Sequence, residues 1–327
     1  MSSMALFLEM LIIFILIVLG FIMYRTGRMN TANARSLSVL VTTLCSPALQ
    51  LNAAIGTEGR LAPNVFLDAL GVAVLIYAIL IAASYLICFL LKKPYKEWYT
   101  YQMLTVYGNT GFIGFPVCLA VLGNSSLVYA SINNLVFNML IYTYGMAILR
   151  KAHRLQAMVP ESEQESIAEK ISAGRRIFDT LKPMINVGTV SAVLSVFIYL
   201  LDPQLPRVLT SVISYTANAT VFLSMTVLGC TIAASPLKEL FTGDKKMYLF
   251  LFFRMLALPV VIVLLLKPFV HNTLLLGTTA IMVSLPGGNL PLMLCKQLEL
   301  KDKELSRGII LSTLLCILTI PIVCSFL

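Results

Sequence analysis

The chain has 327 residues, of which 58% are hydrophobic and only 12% charged, with a formal net charge of +9. Soluble domains carry about 25% charged residues, so a water-soluble globular protein is excluded and an all-α polytopic membrane protein is expected. The basic excess does not mark a nucleic-acid surface, because the cations sit between apolar segments on one side of the expected membrane.

A spanning helix needs about 20 apolar residues. Ten segments qualify: 6–24, 36–55, 65–91, 98–123, 127–150, 181–201, 206–234, 246–268, 272–297 and 304–326. The first has Glu9 near its start, no basic region ahead of it and arginines after it, so it reads as a membrane helix and not as a cleaved leader. The second holds Gln50 beside Pro47, and the third starts near Asp68. Glu9 and Asp68 lie near span ends and are expected at the interface.

The fourth span is broken by N-T-G-F-I-G-F-P, from Asn109 to Pro116, and the fifth contains Asn138. A hydrophilic stretch, about 151–178, follows; it is too short to bury a core of its own and reads as a solvated connector. The seventh span holds Thr226 and the eighth Arg254, in F-F-R-M-L-A-L-P. The ninth is broken by S-L-P-G-G-N-L-P, from Ser284 to Pro291.

Orientation follows from the cations. With the N-terminus outside and alternating spans, 20 of the 24 lysines and arginines fall inside. Arg60, Arg207 and Lys267 fall outside, and Arg254 lies within a span. The positive-inside rule then places both termini outside and the central connector in the cytoplasm, in a plasma membrane or bacterial inner membrane. The seven cysteines lie in or beside spans without a C-x-x-C pair, and His153 and His271 are the only histidines. Neither a disulfide framework nor a zinc site is indicated; the cysteines read as small buried apolar residues.

The connector divides the spans into five plus five, giving residues 1–150, a link at 151–180, and 181–327. Shifting the first part by 175 residues brings 6–24 onto 181–199 and Pro116 onto Pro291. The residues themselves do not match, since Asn109 falls on Ser284 and Gly114 on Asn289. The repeat is one of layout, and an odd number of spans per half makes the second copy inverted. Inverted repeats with interrupted helices at corresponding places point to a transporter's binding site.

Gly108, Asn109, Gly111, Gly114 and Pro116 fall within nine residues, and Pro286, Gly287, Gly288 and Pro291 repeat the theme. Proline removes a donor and clashes with the preceding turn; glycine permits the backbone to turn. Two such helices crossing at mid-membrane present half-helix N-termini to an anion. Asn109, Thr110, Ser284 and Asn289 add neutral polar groups. The bland alternative is a pair of proline kinks with close-packed glycines. Arg254 either faces substrate or a gate, or snorkels to the cytoplasmic interface. Asn138, Gln50 and Thr226 are further polar candidates, each equally able to bond a neighbouring helix.

No acidic residue lies within either broken segment, which argues against a carboxylate sodium site or proton relay there. Backbone carbonyls still leave sodium or proton coupling open. A hydrolase needs a nucleophile beside a base, and none stands out within a span. A receptor needs no crossing of broken helices.

These residues resemble the auxin efflux carrier family, and in particular its bacterial branch of malonate and other dicarboxylate carriers. N-T-G-F-I-G-F-P at 109–116 is similar to that family's fourth-span signature. S-L-P-G-G-N-L-P-L-M-L-C-K-Q at 284–297 is similar to its ninth, and R-M-L-A-L-P at 254–259 to its eighth. The chain departs from the plant PIN-formed carriers in lacking a long central loop and in carrying Gln297 where an acid is usual. The resemblance implies ten helices in two inverted five-helix repeats, the fold shared with bile-acid sodium symporters. It implies a scaffold of spans 1, 2, 6 and 7, through which a homodimer forms, and a mobile unit of spans 3–5 and 8–10. A small organic anion would sit beside Pro116 and Pro291, touching Asn109, Asn138 and Gln50, and an elevator-like movement would carry it across. No cofactor is implied. The alternatives are a sodium-coupled symporter of bile-acid type and a membrane receptor.

Overall fold

The computed structural model describes residues 3–55, 63–156, 187–201, 203–235, 244–301 and 303–327. Among them every regular element is helical, and the one strand-like feature is an isolated antiparallel bridge between Gly108 and Gly287. Twelve helices follow in order: α1 Ser3–Arg25, α2 Thr31–Ile55, α3 Pro63–Leu90, α4 Trp98–Val106, α5 Thr110–Leu122 and α6 Ser126–Gln156, then α7 Val187–Leu201, α8 Arg207–Ala234, α9 Lys245–Leu266, α10 Thr273–Val283, α11 Asn289–Gln297 and α12 Lys303–Cys324. Six of these, α2, α3, α6, α8, α9 and α12, are long and apolar enough to cross a membrane.

Each segment expected from the sequence contains a helix, with shifts at the ends. The second begins at Thr31, where Asn30 caps it by accepting from the Asn33 N–H. The fifth continues to Gln156, so the start of the expected connector is helical. The rest of that connector, with the onset of the sixth segment up to residue 186, lies outside the described residues, as does Arg60. The fourth and ninth segments are each two helices, α4 with α5 and α10 with α11.

Four helices widen into a single π turn: Val41–Cys45, Thr110–Gly114, Ile141–Gly145 and Phe253–Ala257. Three of these end two residues before a proline, at Pro47, Pro116 and Pro259. A proline ring collides with the carbonyl four residues back, and a widened turn relieves that collision. The fourth has a different cause. The Tyr107 hydroxyl donates to the Leu140 carbonyl at 3.0 Å and lies against Gly145, so a foreign side chain enters the ladder.

Packing falls into two groups, joined above all by α7 lying on α6. α1, α2, α7 and α8 pack on one another, with α8 touching both α1 and α2. The α1–α8 contact is backbone to backbone. A Cβ on Gly20 would collide with the Thr226 carbonyl oxygen, and one on Gly229 would collide with that of Ile17. In the other group, α3 packs on α4 and α6, and α10 packs on α6, α9 and α12. Outward faces stay apolar, as at Val74 on α3, Phe197 on α7, Val208 on α8 and Leu264 on α9, the surface a lipid solvent requires.

Candidate functional site

The two broken segments meet. The Asn109 N–H donates to the Pro286 carbonyl at 2.8 Å, and the Gly288 N–H donates to the Tyr107 carbonyl at 2.9 Å. Each break therefore satisfies backbone groups of the other, which answers the cost of interrupting a helix away from water. Glycine is required for this approach. A Cβ on Gly288 would stand 2.8 Å from the Gly108 carbonyl oxygen, and one on Gly287 would stand 2.7 Å from the Leu104 Cδ2. The Gly287 N–H is taken up by Ser312 Oγ at 3.1 Å.

Arg254 closes the arrangement from α9. Its side chain is buried, and its guanidinium donates to three carbonyls: Leu104 at 3.2 Å, Val283 at 2.8 Å and Leu285 at 3.3 Å. Leu104 lies in the last turn of α4, and Val283 and Leu285 lie at the end of α10. One planar cation thus binds the C-terminal ends of both interrupted helices, where carbonyls are orphaned and the dipole is negative. Snorkelling is ruled out by this geometry. The side chain turns into the protein, because three orphaned carbonyls lie within its reach.

On the opposite side of the crossing α5 and α11 begin. Asn109 caps α5, its side-chain oxygen accepting from the Phe112 N–H at 3.2 Å. Its Nδ2 is buried with no partner among the described residues. Thr110 Oγ1 donates to Asn134 Oδ1 at 2.9 Å, and the Asn134 carbonyl accepts from Asn138 Nδ2 at 2.9 Å. Asn138 therefore reaches the break through Asn134. A Cβ added at Gly111 would meet nothing within 4 Å, so space opens beside it. Gly114 is tight, with Leu285 Cδ1 2.8 Å from such a Cβ. Ser46 of α2 approaches the Gly111 carbonyl at 3.4 Å. Gln50, one turn further along α2, is buried with its Oε1 unpartnered among the described residues. Pro116, Pro286 and Pro291 are buried, and Asn289 is half-buried at the start of α11.

Asn109, Thr110, Gly114, Pro116, Pro286, Gly287, Gly288 and Arg254 thus belong to one crossing, with Asn289 and Pro291 opening α11 from it. Gly111, Gln50 and Asn138 line its approaches. Thr226 does not: its hydroxyl donates to the Phe222 carbonyl of its own helix. Sequence reasoning missed Asn134. Asn134 and Asn138 are four apart on one helix and both buried, a signal available in the letters. Tyr107 was also missed, because a tyrosine's reach into the ladder of α6 leaves no local pattern.

Among the described residues the carboxylates are Glu9, Asp68, Glu97, Asp244, Glu299 and Glu304, none of them in the crossing. No cluster of three metal-ligating side chains occurs among those residues. A cavity of about 10 Å³ lies between α3, α6 and α10, lined by Tyr129, Asn133, Thr278 and Thr279 among others. That is room for about one water.

The family described as membrane transport protein matches residues 5–324. The chain belongs to this family, that of the auxin efflux carriers. A comparison with curated proteins finds no match. Membership makes this chain a membrane transporter of the auxin efflux type rather than an enzyme.

Proposed function

We infer that the chain is a secondary carrier for a small organic anion, a mono- or dicarboxylate, bound where α5 and α11 begin. The observation that carries this reading is the placement of Arg254. Each helix end carries roughly half an elementary charge, positive at the N-terminus and negative at the C-terminus. At the crossing the ends of α4 and α10 and the starts of α5 and α11 nearly cancel. Arg254 hydrogen-bonds the two negative ends, which leaves the positive ends of α5 and α11 without a counter-charge, and no carboxylate in the crossing to compensate them. Such a centre attracts an anion and disfavours a bare cation.

Asn109 Nδ2 and the space beside Gly111 supply a donor and room. The grouping of α1, α2, α7 and α8 against the rest fits an elevator-type carrier. On this reading there are ten spans in two inverted repeats, both termini outside, with a homodimer formed through the first group.

The test is thermal protection of the purified protein by a panel of mono- and dicarboxylates. Asn109→Asp keeps the oxygen that caps α5 and replaces the unpartnered donor with negative charge. It is expected to fold with a melting temperature within a few degrees of wild type and to lose at least tenfold in apparent affinity. Undiminished protection in that variant sinks the site. Uptake into proteoliposomes with and without a sodium gradient separates an uncoupled or proton-coupled carrier from a sodium symporter.

A further inference from the structure

We propose that the edge of the molecule where α3 and α6 end holds an anionic phospholipid, its headgroup on a cluster of lysines and arginines and its acyl chain along α3. The proposal requires only that α3 and α6 cross a membrane, and is independent of the substrate reading.

The apolar part of the site is the last stretch of α3. Leu86, Phe89 and Leu90 are 57%, 71% and 59% exposed there. Directly beyond them the chain turns, with the Lys92 N–H donating to the Phe89 carbonyl and the Lys93 N–H to that of Cys88. A short 3-10 turn, Tyr95–Glu97, then leads into α4. Three rings run along this edge. Tyr85 and Trp98 have centroids 6.0 Å apart, and Trp98 and Tyr95 5.2 Å apart. The Trp98 indole N–H donates to the Lys93 carbonyl at 2.9 Å, which fixes the ring. Aromatic rings of this kind mark the level of lipid headgroups.

The polar part comes from both elements. The end of α6 packs on the Tyr95–Glu97 turn. Leu149 and Ala152 face inward, and Gln156 Nε2 bonds the Tyr99 hydroxyl at 3.3 Å, so the helix end is held in place. Arg150, Lys151 and Arg154 consequently point outward, and Lys151 Nζ stands 5.1 Å from the Tyr95 ring centre. Lys92 and Lys96 are exposed on the connector. Among the described residues of this turn and of the α6 end, Glu97 is the one carboxylate beside these five cations. Lys93 is turned away, bonded to Asp244 at 2.6 Å and lying over the Tyr101 ring.

Lys92 offers a clean variant. It follows α3 with φ at 49°, a left-handed position that glycine occupies without strain, so glycine can replace it without a cost to folding. A soluble anion would use the cations and leave Phe89 and Leu90 idle. A phospholipid uses both, and its phosphate sits at the height of the rings.

The test uses the full-length protein in neutral detergent, followed by thermal melting. Phosphatidylglycerol, phosphatidylcholine and inorganic phosphate are titrated in parallel. Phosphatidylglycerol is expected to raise the melting temperature well above the effect of phosphatidylcholine, with phosphate inert. Each cation removed should weaken the phosphatidylglycerol response about fivefold in lipid concentration. Lys92→Gly separates lost binding from lost folding, because it should melt no lower than wild type in phosphatidylcholine while needing about fivefold more phosphatidylglycerol. K151Q/R154Q should need on the order of 25-fold more. Equal responses to the two lipids overturn the proposal. So does protection by phosphate alone, or an undiminished phosphatidylglycerol response in both variants.

Discussion

The two broken segments were written in similar letters and are used differently. Around Ser284–Pro291 the backbone is enclosed: Gly287 lies against Leu104 and Ile309, Gly288 lies against Gly108 and Tyr107, and the Gly287 N–H and the carbonyls of Val283 and Leu285 all have side-chain partners. Around Asn109–Pro116 one side is equally tight, at Gly108 and Gly114, but the other side is open at Gly111 and carries an unpartnered amide on Asn109. One break is the floor on which the crossing rests, and the other is a wall with one open side, the side on which we propose the ligand sits. Glycine thus has two meanings here. In the second break it makes contact possible, and at Gly111 it leaves room.

Substitutions that attack the floor should be the costliest. Arg254→Met removes three donors at once and leaves the carbonyls of Leu104, Val283 and Leu285 buried without partners. A buried unsatisfied acceptor costs about 1–3 kcal/mol, so a loss of roughly 3–9 kcal/mol is expected, enough to abolish recovery of folded protein in a size-exclusion assay. Arg254→Lys keeps the charge and loses the planar fork. It should be recovered at an intermediate level; recovery equal to wild type would show that charge alone holds the helix ends.

Gly288→Ala attacks the same floor with a single methyl group. Its Cβ would meet the Gly108 carbonyl oxygen at 2.8 Å, and neither backbone can yield without losing the bonds between Tyr107 and Gly288 and between Asn109 and Pro286. Overpacking of this kind costs about 1–3 kcal/mol. The melting temperature is expected to fall by several degrees, and an unchanged value would mean that the crossing is looser than its contacts suggest.

Much of this was legible in the letters. Hydropathy and Gly/Pro punctuation located the breaks, and the crossing follows from their paired positions. Two things were not legible. Arg254 read equally well as a snorkelling residue, since its distance from Lys246 along the helix says nothing about which way it turns. Only the placement of the α4 and α10 ends decides that. The asymmetry between the breaks was also hidden. Gly111 and Gly288 are the same letter in similar company, and what distinguishes them is whether another backbone stands opposite. Similarly, Asn134 was passed over for Asn138, although it is Asn134 that bonds Thr110.

A weaker link ties the first break to the helix that carries Arg254. Lys93, ahead of α4, bonds Asp244, the cap of α9. The bond from Lys93, with that from the Lys246 N–H, holds the Asp244 carboxyl below its ordinary value of 3.8. The folded form therefore gains stability above the unfolded value and loses it as pH falls through the lower folded value. With the Asp244 side chain 43% exposed, screening limits the gain to about 1 kcal/mol or less. Asp244→Asn should lower the melting temperature slightly at neutral pH and converge with wild type in acid. A difference that persists at pH 2 would mean that the ion pair with Lys93 is not what Asp244 contributes.

The smallest effect on the fold should come from Gly111→Ala, and it divides the two segments most sharply. The added methyl meets nothing within 4 Å, and the position lies in a helical turn with no positive φ. Alanine there restricts the unfolded chain, so the melting temperature should stay level or rise, by about 0.4–1 kcal/mol in stability. On the proposed reading the same methyl takes up space beside Gly111 that the carboxylate would use. Protection by the carboxylate that best stabilises wild type should therefore fall while the apo protein melts no lower. If Gly111→Ala melts like Gly288→Ala, the space is not there. If it melts like wild type and binds as well, the wall beside Gly111 faces nothing that matters to the ligand, and the site must be sought on the Asn289 side of the crossing.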